Sequence, residues 1–218
     1  MIFEHDYEPV PGLPAPLPGD ETILWQGAPR WNVFARRALK IRWIVGYFAV
    51  LIVWGVADRL ASGAPAGTVA LALAQWLGLA AMAVGLLLLF AWAVGRTTLY
   101  TVTNRRVVMR FGIALPMTLQ IPFRRIDGAA LKAGADGAGD IALTLLAGDR
   151  IAYLVLWPHA RPWRLAKAEP TLRGLADATD AARILARALA ASAEQPAKAV
   201  TIQVVKKGET GAPAPAAA

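Results

Sequence analysis

From Leu60 to Gly95 the chain carries no charged residue. A bilayer core is about 30 Å thick and a helix rises about 1.5 Å per residue, so about 20 consecutive apolar residues suffice to cross it. Val69 to Val94 meets that length unaided. A shorter apolar run, Trp43 to Ala57, precedes it. It becomes long enough between Leu39 and Leu60 if Lys40 and Arg42 snorkel at one end and Asp58 and Arg59 lie at the other. A helix of a soluble protein keeps a polar face for water. These runs have none, and wrapping them in protein would take far more chain than 218 residues provide. Residues 39–95 therefore read as a two-helix transmembrane hairpin, with spans at about 39–60 and 69–94. Trp43 and Tyr47 at one end of the first span, Trp54 at the other, and Trp76 and Trp92 in the second suit interfacial aromatic belts.

Flanking charge sets the expected orientation. Arg30, Arg36, Arg37, Lys40 and Arg42 precede the first span, and Arg96, Arg105, Arg106 and Arg110 follow the second, whereas the connecting loop from Asp58 to Thr68 holds one charge of each sign. By the positive-inside rule both termini of this multi-pass protein are cytoplasmic. The net charge of +8 is concentrated after the hairpin. Such a segment is drawn to an anionic leaflet by about 1 kcal/mol per nearby basic residue. No nucleic-acid-binding signature accompanies the charge, so nucleic acid is not an expected partner. Cysteine is absent, which excludes disulfides, thiolate metal sites and cysteine nucleophiles. The two histidines, His5 and His159, lie outside both spans, so neither span offers the usual ligand for a chlorin or haem, and no cofactor is expected.

Residues 1–38 read as a cytoplasmic arm, acidic and then proline-rich, in which Ile23, Leu24 and Trp25 form a short strand or amphipathic element that docks near the membrane. After Arg96 the pattern changes from continuous to alternating. Thr97 to Thr103 and Arg106 to Phe111 form a hairpin around Asn104 and Arg105, with Val107, Met109 and Phe111 on one side. Met117 to Phe123, Ile126 to Lys132, Ile141 to Leu145 and Arg150 to Trp157 supply four more strands, the last two joined by a turn at Gly148 and Asp149. Six strands in series imply an antiparallel barrel or sandwich. Thr179 to Ser192 is an amphipathic helix capped by Thr179 or Asp180, with Ala181, Ile184, Leu185, Ala188 and Leu189 on its apolar face. Residues 193–218 read as a disordered Ala/Pro/Lys tail in which Val200 to Val205 is a candidate edge strand. The fold class is α+β: a membrane hairpin, then at 96–192 an antiparallel β-barrel or sandwich capped by a C-terminal helix.

Leu24, Trp25, Gly27 and Pro29, the hairpin, and then Tyr100 to Arg106 (YTVTNRR), Gly112 and Ile121 to Asp127 (IPFRRID) together resemble bacterial pleckstrin-homology-like (PH-like) membrane proteins. More narrowly, Leu13 to Trp31, Thr103 to Ile126 and Trp157 to Leu175 are similar to the PuhB family of photosynthetic-complex assembly proteins of purple bacteria. The resemblance implies a seven-stranded barrel with a C-terminal helix. It also implies a non-enzymatic assembly factor, acting as a homodimer. Its implied partners are reaction-centre and light-harvesting subunits or other assembly factors in the cytoplasmic or intracytoplasmic photosynthetic membrane. It brings no catalytic residues.

The residues point the same way. Gly134 to Gly139 lacks the Lys-Ser/Thr ending of a phosphate loop and reads as a hairpin loop. Trp157, His159, Arg161, Trp163 and Arg164 stand between prolines that restrict the backbone, so they present aromatic and cationic groups to a partner or headgroup at little ordering cost. The plainer alternative is that both tryptophans pack in the core. Arg105, Arg106, Arg110, Arg124 and Arg125 form either a lipid- or partner-binding set or a solvated basic face. A lipid-sensing module is accordingly the alternative function. In the second span Ala70, Ala74, Gly78, Ala81 and Gly85 recur at steps of three or four, a small-residue face that admits another helix closely.

Overall fold

The computed structural model describes residues 12–146, 151–162, 164–165 and 167–192. The start of the N-terminal arm, the Gly148–Asp149 turn, Trp163, and the tail with its candidate strand lie outside the described residues.

Both apolar runs are helical. Helix α2 covers Ile41–Ala61 and α3 covers Ala66–Thr97, and each is long and apolar enough to span a membrane. The turn between them is fixed by local chemistry. Gly63 takes a positive φ of 70°, its N–H bonds to the Leu60 carbonyl at 3.1 Å, and the Ala64 N–H reaches the Arg59 carbonyl at 3.0 Å. These are the paired bonds that close a helix C-terminus on glycine, and Pro65 then opens α3. The helices run antiparallel with Gly55 against Trp76, where a Cβ would sit 3.2 Å from the indole Nε1. Counting fourteen residues back along α2 from Gly55 and fourteen on along α3 from Trp76 brings Ile41 level with Phe90, and both residues pack against the cluster that holds Ala91 and Val94. Helix α3 continues past that level for about two turns and leads through Thr98 directly into a strand.

Two antiparallel sheets follow. The first has the order β1-β2-β3-β4, built from Ile23–Gly27, Leu99–Thr103, Arg106–Phe111 and Met117–Pro122. The second has the order β5-β6-β7, built from Ile126–Ala133, Gly139–Leu145 and Thr171–Leu175. Their inner faces enclose one core: Tyr100, Val107, Met109 and Phe111 from the first sheet meet Ile141, Leu143, Leu172 and Leu175 from the second. Helix α5, Ala178–Ser192, closes it with Ala181, Leu185, Ala188 and Leu189. The alternation seen in the sequence at 107–111 and 141–145 is this buried face.

Three expectations are corrected. The described part of the expected strand from Arg150 to Trp157 is not a strand: residues 151 and 152 are irregular and Tyr153–Leu156 is a single helical turn, α4, with Leu156 buried. Pro158 cannot donate to a ladder, and the place beside β6 is taken by β7. The seventh strand comes from before the hairpin, since β1 pairs with β2 across the whole membrane segment. Helix α5 begins at Ala178, so Thr179 and Asp180 stand in its first turn, where Asp180 pairs with Arg183 at 3.1 Å. A short helix that the pattern did not announce, α1 (Trp31–Arg37), sits between α3 and β7.

Candidate functional site

The strands have two ends, and they differ in chemistry. One is the Asn104–Arg105 turn. The other is where α3 enters β2, where the β3–β4 loop turns back, and where the segment from Trp157 lies. Strand β2 is five residues long, so the two ends are about 17 Å apart.

At the turn end the arginines are occupied within the chain. Arg106 grips Glu21 with two bonds, Nη2 to Oε2 at 2.6 Å and Nε to Oε1 at 2.8 Å, and donates from Nη1 to Gln120 Oε1 at 2.6 Å. Glu21 is buried and also accepts from the Thr103 hydroxyl at 2.8 Å. Arg105 pairs with Asp20. Asn104 completes the clamp by accepting from the Thr22 N–H and donating to the Asp20 carbonyl. The Thr-Asn-Arg-Arg turn therefore fastens the segment that leads into β1. Arg124 and Arg125 lie at this same end, exposed in a one-turn 3-10 helix whose Phe123 N–H bonds to the Arg105 carbonyl. Arg110 lies apart from them, opposite Leu99 at the α3 end. The five arginines are thus not one surface.

At the α3 end the central group is His159, fully buried. The Tyr100 hydroxyl accepts from the Arg173 backbone N–H at 3.2 Å and lies 2.7 Å from His159 Nδ1. Burial raises the tyrosine pKa, so Tyr100 keeps its proton and donates it to Nδ1. The single ring proton of the neutral imidazole is then on Nε2, 3.3 Å from Thr98 Oγ1. Burial, with a smaller push from Arg173, lowers the His159 pKa to about 3. The imidazole is neutral, and it is ringed by Phe34, Tyr100 and Phe111. Arg173 bonds to the Pro158 carbonyl at 3.0 Å, while its Nε has no partner among the described residues. Trp157 stacks on Phe90 of α3 with ring centroids 5.4 Å apart, and the Trp157–Pro158 bond is cis. Arg161 and Arg164 converge on buried Glu169 at 2.7 and 3.4 Å. So the Trp157–Arg164 segment divides: its histidine and arginines bind inward, and Trp157 is half exposed against the membrane helix.

Helix α1 locks the joint. The Arg30 N–H bonds to the Gly174 carbonyl at 2.9 Å, and Phe34 is buried between α3 and β7. Gly174 has φ +71°, and a Cβ there would sit 3.1 Å from that of Phe34, so both the turn and the close approach call for glycine. Behind this joint a cavity of about 140 Å³ is lined by Phe90, Val94 and Thr97 of α3 together with Gly112, Ile113 and Trp157.

The small-residue face of α3 points elsewhere. Ala70, Ala74, Gly78, Ala81 and Gly85 are all exposed, and a Cβ at Gly78 or Gly85 meets nothing within 4 Å among the described residues. Helix α2 packs on a different side.

The bacterial PH domain family profile matches residues 41–189, from the first span to the last turn of α5. The chain belongs to the bacterial PH domain family. It is also 40% identical over 210 residues, covering 96% of this chain and 95% of the relative, to an uncharacterized 23.7 kDa protein in the puhA 5′ region of Rhodobacter capsulatus. No solved structure matches.

In this bacterial PH domain the matched range begins after β1 and α1, the two elements that tie the barrel to the hairpin. Sequence reasoning missed Tyr100, Thr98 and Arg173 around His159, and Glu21 opposite Arg106. A faint signal existed for the last pair: an acidic residue just before an apolar strand, in a chain with an excess of base. Nothing local marked Arg173, since an arginine in a five-residue strand ordinarily faces water.

Proposed function

We propose that this protein is an assembly factor for the bacterial photosynthetic reaction centre and its antenna, and that it acts by holding incoming membrane subunits. The observation that carries this is the end-to-end likeness to a protein from the region of puhA, a photosynthesis gene. The architecture supports it. A barrel fastened to a hairpin is confined to the membrane plane, where effective concentration rises enough for weak contacts to hold a client. The exposed small-residue face of α3 offers such a client a close helix contact within the bilayer. Both ends of the hairpin lie on the cytoplasmic side in this proposal, in keeping with Lys40 and Arg42 at one end and Arg96 at the other.

The test is deletion of the gene in a phototrophic host, with reaction-centre and antenna absorbance measured in isolated membranes. Loss of reaction-centre absorbance, restored by the intact gene, is expected. Unchanged spectra would remove the function. Affinity purification from phototrophically grown cells is expected to recover pigment–protein subunits, and recovery of only self and lipid would count against a client.

A further inference from the structure

The two most exposed large apolar side chains of the barrel among the described residues, Leu154 and Leu115, lie on short segments that lead into Trp157 and out of Gly112, at the α3 end. The β3–β4 loop presents Ile113 and Leu115, the latter 79% exposed. Helix α4 presents Leu154 and Val155, the former 86% exposed, and leads into half-exposed Trp157. Surface leucines are ordinary when scattered singly, but a cluster at one end of a domain is not.

The position of this cluster along α3 can be read off the packing. Ile41, where α2 leaves the charged pair Lys40 and Arg42, is level with Phe90. In a hairpin that crosses a bilayer, that level is the cytoplasmic edge of the hydrocarbon. Trp157 stacks on Phe90, and Ile113 lines the same cavity as both. The apolar residues are therefore held at the depth where the spans begin. Arg96 lies six residues further along the helix, about 9 Å toward the cytoplasm, with its guanidinium 5.4 Å from the Trp92 ring centroid. A basic and aromatic layer above an apolar one is the arrangement of an interfacially bound segment, whose apolar face sinks about 5–10 Å into the headgroup and acyl boundary.

We propose that the β3–β4 loop and the α4 turn are membrane-inserting tips that enter the cytoplasmic leaflet beside α3. The barrel is then held to the bilayer at three points, with a fixed tilt, and does not swing from one helix. The occupant of this apolar surface is lipid, because the surface is continuous with a helix face at lipid depth. The inference rests on the hairpin crossing the membrane.

The chain has no cysteine, so single cysteines can be labelled cleanly. The full-length protein is reconstituted into phosphatidylcholine–phosphatidylglycerol vesicles with a polarity-sensitive fluorophore at Leu115→Cys, Leu154→Cys, Leu79→Cys about 16 Å along α3 from Phe90, or Ala190→Cys near the far end of α5. All four positions are exposed, so folding should tolerate the label. Lipids with a nitroxide high on the acyl chain are expected to remove most of the emission at Leu115 and Leu154, lipids with a deep nitroxide most of that at Leu79, and neither should affect Ala190. Quenching at Leu79 without quenching at Leu115 and Leu154 overturns the tips while leaving the hairpin in place. Failure at Leu79 overturns the hairpin itself. If both tip labels are unquenched in vesicles but become shielded in native membranes, a protein covers the surface and the lipid assignment is wrong.

Discussion

The two ends of the barrel are fastened by opposite means. At the Asn104–Arg105 turn the chain is held by charge, with Arg106 on buried Glu21 and Arg105 on exposed Asp20. At the α3 end burial leads, with Phe34 wedged under α3 and neutral His159 between Tyr100 and Thr98, while the charges there, Arg173 on the Pro158 carbonyl and Arg161 and Arg164 on buried Glu169, stand behind that joint. The difference teaches where the fold is made rigid: between barrel and hairpin, where a loose connection would let the domain swing about the end of α3.

The comparison can be broken most severely at Phe34. Replacing it with Ala empties a fully buried site shared by α1, α3 and β7. A loss of about 3–5 kcal/mol is expected, read as a lower thermal midpoint in detergent and new protease cleavage near α1. A loss below 1 kcal/mol would mean that α1 does not join the two parts. At the other end Glu21→Ala leaves Arg106 without its main partner. Since that arginine is partly exposed and keeps Gln120, the expected cost is about 2–3 kcal/mol, below the range for a fully buried pair. Asp20→Ala removes an exposed pair and should cost less than about 1 kcal/mol. Equal effects at Asp20 and Glu21 would show that burial does not separate them.

Acid sharpens the contrast. His159 has a folded pKa lowered to about 3, against about 6.5 in the unfolded chain. Its contribution is therefore complete above pH 6.5 and is lost as the pH falls toward 3, at about 1.4 kcal/mol per unit. Thermal midpoints of the full-length protein should fall between pH 6.5 and 4.5. His159→Asn should lower the midpoint at pH 7 and flatten that part of the profile. An unchanged acid slope in the variant would place the sensitive group elsewhere.

How much of this was legible depended on distance along the chain. The hairpin and the core faces at Val107, Met109 and Phe111 and at Ile141, Leu143 and Leu145 follow from period alone. Strand β7 hid because Arg173 and Gly174 interrupt its five residues, and both serve the joint: one bonds to Pro158, the other makes room for Phe34. Arg150 to Trp157 reads as a strand because its side chains favour one, but Pro158 directly after it cannot join a ladder. The arginines of the turn read as a basic face because the acids that neutralise them lie 85 residues upstream. His159 reads as a residue presented to a partner or headgroup, whereas it is buried, on partners Tyr100 and Thr98 that lie 59 and 61 residues away. A helix or strand announces itself locally, whereas a site assembled from opposite sides of a membrane hairpin does not.

The smallest expected effect on the protein itself tests what the small-residue face is for. At Gly78 a side chain meets nothing among the described residues, and leucine is a better helix former than glycine. Gly78→Leu should therefore leave the isolated protein as stable as before, or raise its thermal midpoint slightly. If the face of Ala70, Ala74, Gly78, Ala81 and Gly85 receives a helix of another subunit, the added bulk separates the two backbones and removes the close packing on which association within lipid depends. Co-purification of that subunit should then fall sharply while the barrel, the joint and the acid profile stay as they were. If the variant recovers the same subunits in the same amount, the client does not use this face, and the barrel end beside α3 becomes the place to look for it.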